Sequence, residues 1–266
     1  MSLLQSLILG AFQGIAEFLP ISSSGHLLLF KNIMGLTDVP QIFDVILHLA
    51  TLLSILVVFR KRVWGIIRSC ARFLAKKHDD SDAENLAIVV PAALATLLTA
   101  LIGLAISKLD FSSNTPLVCI FLLVTAVILL ITPLFKGTTG FRGLGMRHGI
   151  ITGIAQGLGV FPGISRSGIT ISGGMASGMG RAEAGEFSFL LAIPAVLGAL
   201  VLEAKDLGTL SGSVEPVALG LGALAAFVVG VIALRLLMPI VRRGKLAWFA
   251  AYLIPAGILG LIFGPF

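Results

Sequence analysis

The sequence predicts an all-α polytopic membrane protein made of two inverted-topology repeats, each a re-entrant helical hairpin followed by three transmembrane helices. Three observations carry that prediction. The 266 residues are 57% hydrophobic and only 12% charged, with a mean hydropathy of +1.05, whereas soluble domains carry about 25% charged residues. A polar stretch at 10–26, GAFQGIAEFLPISSSGH, returns 143 positions later as GIAQGLGVFPGISRSGI. Eight of the 17 aligned positions are identical without a gap, among them Gln13/Gln156, Phe18/Phe161, Ser22/Ser165 and Gly25/Gly168. Finally, three apolar segments of bilayer-spanning length follow each copy. An odd number of crossings turns the second copy upside down, as in many transporters.

Taken in order, residues 3–18 read as an apolar helix stopped by Pro20 and the SSSG run, and a second apolar piece covers 25–34. Both are shorter than the ~20 residues that cross a bilayer. Residues 3–34 therefore read as a re-entrant hairpin, tolerated where it is buried in protein or lines a wet cavity. Spans are expected at 43–59, 86–107 and 116–134, completing a first repeat of 1–134. Residues 60–84 carry seven Lys/Arg and then DDSDAE, and read as a cytoplasmic basic loop. A basic helix lying on anionic lipid is the second reading of its first half. The second repeat, 144–266, gives a hairpin at 148–178 and spans at 183–202, 215–238 and 246–263, so the whole chain is one integral membrane domain.

Charge sets the orientation. The segments 60–84, 135–147 and 239–245 hold seven, three and three Lys/Arg, while 35–41, 108–114 and 203–215 hold only Lys108 and Lys205. The positive-inside bias places the first group in the cytoplasm and both termini outside. It also accounts for the net charge of +6 without a nucleic-acid partner. No Lys or Arg precedes Lys31, so no cleaved signal is expected. Cys70 and Cys119 suggest neither a disulfide nor a metal site. Glu183 and Glu186 read as local pairs with Arg181 at a helix start, and His48, four residues after Asp44, as structural in preference to a supporting pair or a proton relay.

Inverting the repeats brings one hairpin in from each face, tip to tip. Ser22, Ser23, Ser24 and Gly25 at one tip, and Ser165, Arg166, Ser167 and Gly168 at the other, each precede a short apolar helix. Helix N-termini present unpaired N–H groups and about half a positive charge, and with hydroxyls and a guanidinium they make an anion site. The fork of Arg166 suits two phosphate oxygens. Serines that only cap, with Arg166 paired to Glu17, would be the plainer outcome. Gln13 and Glu17, four apart, share a helix face; a carboxylate at this depth points to function. Beside a phosphate site, such oxygens suit Mg²⁺ or Ca²⁺. His26, just past the serines, is placed in catalysis.

Two motifs carry a family resemblance. Gln13-xxx-Glu17 followed by Phe-Leu-Pro-Ile-Ser-Ser-Ser-Gly-His26, and Pro162-Gly-Ile-Ser-Arg166-Ser-Gly-Ile-Thr170, resemble those of the membrane-embedded undecaprenyl-diphosphate phosphatases of the bacitracin-resistance type. The resemblance extends over the whole chain, with glutamine at position 13 where many members carry glutamate. It implies metal-dependent removal of the terminal phosphate from undecaprenyl diphosphate, the product being the lipid carrier of cell-wall precursors. It also implies a site open to the outer face of the bacterial inner membrane. Glu17 would serve the metal, His26 and a first-loop serine such as Ser23 the chemistry, and Ser165, Arg166 and Thr170 the diphosphate. Which of Ser23 and His26 attacks phosphorus stays open, as does a homodimer.

A transporter or flippase for an anionic lipid is the competing reading, since hairpins meeting at the midplane also suit alternating access. Asymmetry between the repeats argues for chemistry: Glu17 aligns with Val160 and His26 with Ile169.

Overall fold

A computed structural model of the chain describes residues 1–33, 41–106, 114–203 and 215–263. These residues fold into helices α1 (Leu3–Ala16), α2 (Ser23–Ile33), α3 (Gln41–Val58), α4 (Arg60–Leu74), α5 (Ala83–Ile106), α6 (Thr115–Ile131), α7 (Met146–Leu158), α8 (Arg166–Ala176), α9 (Arg181–Glu203), α10 (Pro216–Arg242) and α11 (Ala250–Phe263). No strand forms among the described residues; one isolated bridge pairs Thr139 with Met179. The outer-face loops expected over 35–41, 108–114 and 203–215, with Lys108 and Lys205, lie almost wholly outside the described residues.

Five helical segments are long and apolar enough to cross a membrane: Asp80–Ile106, Thr115–Leu134, Arg181–Leu202, Pro216–Arg242 and Leu246–Phe263. Pro91, Pro194, Pro239 and Pro255 sit inside them, as spanning helices tolerate where neighbours satisfy the freed backbone groups. The sixth expected span is α3, which reaches that length only together with α4, from which it is bent by 77°.

Within 60–84 the first half is not an ordinary loop but helix α4, the second of the two readings given to it. The density of Arg and Lys hid a helical period: Val63 and Ile66 pack inward on the core, while Trp64, Ile67, Phe73 and Leu74 are exposed. Set nearly at a right angle to α3, such a helix suits a membrane surface. Its end is held by Arg72, whose Nη2 donates to Asp79 Oδ2 at 2.6 Å, and by Ser69, whose hydroxyl donates to Asp82 at 2.8 Å. Glu186 is corrected too, for it accepts from Arg62 Nε at 2.6 Å rather than pairing with Arg181. Sequence proximity was a poor guide there because Arg62 and Glu186 are brought together by the starts of α4 and α9.

The deepest packing crosses between halves. Helix α1 lies on α10, and α7 lies on α5. A Cβ at Gly10 would collide with the carbonyl of Gly222, and one at Gly14 would come 2.6 Å from Ala226 O. At the aligned positions, a Cβ at Gly153 would sit 2.7 Å from Ala95 Cα, and one at Gly157 2.7 Å from Ile102 Cβ. Glycine lets these backbones touch where no side chain fits. Both contacts advance in the same direction along the two helices, so α1 runs parallel to α10 and α7 parallel to α5. Helix α10 ends, and α5 begins, at one cavity lined by Arg242 and Asn85.

Candidate functional site

The turn after α1 and the turn before α8 meet in the protein interior. Ser22, at φ 70°, is in the left-handed region, which is rare for a non-glycine residue. That conformation lets its hydroxyl accept from Gly163 N of the other turn at 3.2 Å. Gly163, at φ 97°, leaves no room for a Cβ beside the Val118 carbonyl. Thr125 of α6 fastens the same turn, donating to Gly163 O at 3.1 Å and accepting from Ser165 N at 3.0 Å. A Cβ at Gly168 would come within 3.0 Å of Pro20, and one at Gly25 within 3.1 Å of Gly163 Cα. The two glycines hold the tips together; neither lines the cavity between them.

That cavity, of about 330 Å³, is lined by Glu17, Ser22, Ser23 and Ser24 from the first turn and by Ser165, Arg166 and Ser167 from the second. Glu17, 6% exposed, is its electrostatic centre. One carboxylate oxygen pairs with Arg166 Nη2. The other accepts from Ser23 Oγ at 2.8 Å and Gln13 Nε2 at 3.0 Å, with His48 Nε2 3.7 Å away. Ser165 caps α8, accepting from Gly168 N at 3.2 Å, so an N-terminal helix turn faces the cavity beside the guanidinium. Charge-assisted donors of this kind favour a polyanion.

Besides those glycines, three expected site residues sit elsewhere. His26 is 3% exposed and does not line the cavity. Its Nδ1 is 3.0 Å from Ser22 O and its Nε2 2.8 Å from the hydroxyl of Tyr252 in α11, whose ring stacks on it. Thr170 is fully buried and donates to Arg166 O at 2.7 Å, so it steadies the first turn of α8. Gln13 stands behind Glu17, and its Oε1 is buried without a hydrogen-bond partner.

Sequence reasoning passed over Gln156 and Thr99. Both line the cavity, and Gln156 Nε2 donates to Thr99 Oγ1 at 3.3 Å while its Oε1 is buried and unpartnered. The signal was present, because Gln156 is the repeat partner of Gln13. His48, read as structural in preference to a proton relay, lines the cavity as well.

Comparison with known proteins places this geometry in context. Residues 6–259 match the family model described as bacitracin resistance protein BacA. An undecaprenyl-diphosphatase of Treponema denticola is 43% identical over 258 residues, covering 97% of this chain and 96% of that protein. Proteins of the same name from Desulfosudis oleivorans and Korarchaeum cryptofilum are 41% and 38% identical, covering 94% and 97% of this chain and 94% and 98% of theirs. With the match running through both turns and every described helix, the chain belongs to the bacitracin resistance protein BacA family.

Proposed function

We propose that this chain hydrolyses undecaprenyl diphosphate to undecaprenyl phosphate and inorganic phosphate. The reaction would recycle the carrier lipid of cell-wall synthesis and confer bacitracin resistance. The observation that carries the reading is the convergence of Ser23 and Arg166 on the Glu17 carboxylate in the cavity between the turns. The family and the names of the relatives support the substrate.

The arrangement suits phosphoryl transfer, which depends on positioning and charge neutralisation. Arg166 and the N-terminus of α8 grip the diphosphate oxygens, with Ser165 and Ser167 beside them. Of the two candidate nucleophiles, geometry favours Ser23, which lines the cavity and already donates to Glu17. Its oxygen attacks the terminal phosphorus as its proton passes to Glu17, and the anhydride bond breaks to release undecaprenyl phosphate. Water then attacks the phosphoserine, releasing phosphate and restoring the hydroxyl. His26 bears on the turn through Ser22, whose backbone carbonyl its Nδ1 contacts.

A divalent cation, Mg²⁺ or Ca²⁺, belongs to the proposal. Among the described residues no group of three His, Cys, Asp or Glu forms a protein cage. Glu17 offers a hard oxygen in the cavity, and Gln13, whose Nε2 faces Glu17 from behind, would supply a second by turning its unpartnered Oε1 toward it, the ion being completed by phosphate and water. Those two residues would hold it, and when bound it would neutralise charge on the transferred group.

The inverted-repeat arrangement is also part of the reading. Its support is that α1 parallels α10 while α7 parallels α5, and that α10 ends where α5 begins. Helices α1 and α7 therefore run in opposite senses. The basic bias of α4 supports a bacterial inner-membrane protein with both termini outside. Transport of an anionic lipid remains second, because Glu17 has no counterpart at Val160.

The test is phosphate release from a C15 or C55 prenyl diphosphate by purified protein in detergent, with and without EDTA. We expect turnover that EDTA abolishes and Mg²⁺ or Ca²⁺ restores. Absence of release with either cation would overturn the phosphatase reading.

A further inference from the structure

We propose that a second cavity, at the bend between α3 and α4, binds a phosphate-ester anion, the headgroup of an anionic membrane lipid. This cavity of about 760 Å³ shares no lining residue with the first. Along α9, Glu186 at the second precedes Ala195 at the first by nine residues, or ~13 Å of helix. The site is therefore separate from the proposed catalytic turns and does not depend on their chemistry.

Its walls carry Arg60, Lys61, Arg62, Arg235 and Arg242 against a single carboxylate, Glu186. Glu186 is already committed to Arg62, which donates to it at 2.6 Å and to Glu84 at 2.7 Å. Among the described residues, no carboxylate pairs with Arg60, Lys61, Arg235 or Arg242. Arg60 uses one guanidinium nitrogen on Val57 O at 3.0 Å, keeping its charge uncompensated. Four cations facing one concavity repel each other unless an anion joins them.

Arg235 makes the ligand a membrane lipid. It lies seven residues before Arg242 on spanning helix α10, about 10 Å further along the helix. A cation at such a position is costly without a partner. Its neighbours Ile232 and Leu236 are 53% and 64% exposed, an apolar lane for an acyl chain leading to the guanidinium. On the other side, exposed Trp64 and Ile67 of α4 suit the layer where headgroups lie. A guanidinium fork is the preferred partner of phosphate oxygens, and basic pockets between membrane helices suit anionic headgroups.

The test is retention of phosphatidylglycerol by the purified full chain in neutral detergent, read by native mass spectrometry against phosphatidylcholine of the same chain length. We expect the wild-type protein to retain phosphatidylglycerol selectively. The Arg235→Gln/Arg242→Gln variant should lose at least about tenfold in apparent affinity, and Arg235→Lys/Arg242→Lys, which keeps the charge but not the fork, should lose less. Competition by millimolar inorganic phosphate, with the same dependence on the variants, would support the anion site and make a soluble phosphate its source. Equal retention of the two lipids, or no loss in the Gln variant, overturns the proposal. Should the double Gln variant not fold, Lys61→Gln at the exposed rim is expected to weaken retention about threefold, and an unchanged affinity there overturns it as well.

Discussion

Arg166 and Glu17 are paired side chain to side chain across 149 residues of sequence. Shifted by the 143-residue repeat, Arg166 falls on Ser23, and Ser23 donates to the same carboxylate from the opposite turn. Equivalent positions of the two halves have thus taken different side chains and converged on one acid. The cavity has a single acidic focus because Val160 stands where the second half would carry its own.

From that convergence, Arg166→Lys is expected to lower turnover at least about 100-fold, because the ammonium keeps charge but loses the fork that holds both carboxylate and phosphate. Glu17→Gln should fall as far. Phosphate release, with the detergent-extracted size profile as a folding control, checks both; activity within about fivefold of wild type would remove that residue from the site.

Within the first turn, Ser23→Ala and Ser24→Ala should separate. Both serines line the cavity, but of the two it is Ser23 that donates to Glu17. We expect Ser23→Ala to lose turnover at least about 100-fold and Ser24→Ala to stay within about fivefold. Equal losses would dismiss Ser23 as the nucleophile.

Tyr252→Phe removes the hydroxyl 2.8 Å from His26 Nε2 and should destabilise the protein by about 1 kcal/mol while leaving kcat within about threefold. Thermal unfolding and turnover measured on the same preparation check the split. A collapse of kcat at unchanged stability would move the His26–Tyr252 pair into the chemistry.

Gly10→Ala and Gly153→Ala should each destabilise by about 1–3 kcal/mol, since each added methyl meets backbone of a helix from the other half. Gly140→Ala, with open space around it, is the neutral control. Residual monodisperse protein after heating in detergent reads the difference, and equal survival of all three would contradict the close approach.

The Asp79 carboxyl, outside the spans, is held down to about 2 by hydrogen bonds from Ser81 and then from Arg72. Its folded value lies below its ordinary 3.8, so its contribution is present above about 3.8 and is lost as the pH falls toward 2. Hydrogen exchange of residues 76–82, corrected for intrinsic rates, should show a docked segment at pH 5 and a released one near pH 2. Asp79→Asn should flatten that dependence; an unchanged profile would show that another group governs it.

Much of the fold was legible because hydropathy and period are local properties. The two turns, the apolar segments and the pairing of Ser22–Gly25 with Ser165–Gly168 all follow from the 143-residue shift. Helix α4 was legible only as a second reading, because seven cations among its residues and those just after it favoured a loop over the helical spacing of Val63 and Ile66. The seat of His26 was not legible: a histidine beside three serines reads as part of their chemistry, whereas its ring is turned by the α2 backbone toward Tyr252, far along the chain. Gln156 was readable from the repeat but lacks the acid that made Gln13 conspicuous. Thr99 carried no signal, since only the packing of α7 on α5 brings it to Gln156.

The crossed packing of α1 on α10 also constrains how the protein is made. Ser6 of α1 donates to Ala218 O of α10, 212 residues further on, and at about 5–20 residues per second a ribosome needs roughly 10–40 s to cover that interval. Throughout it the nascent hairpin carrying Gln13 and Glu17 lacks its final helix partner, and until residue 166 is made it lacks the Arg166 guanidinium as well. Biogenesis must shelter a carboxylate in transit, at the insertion machinery or at the bilayer surface, until the second half arrives. Chains arrested before residue 216 should accordingly expose a cysteine placed at Gln13 to an impermeant thiol reagent, and completed chains should protect it.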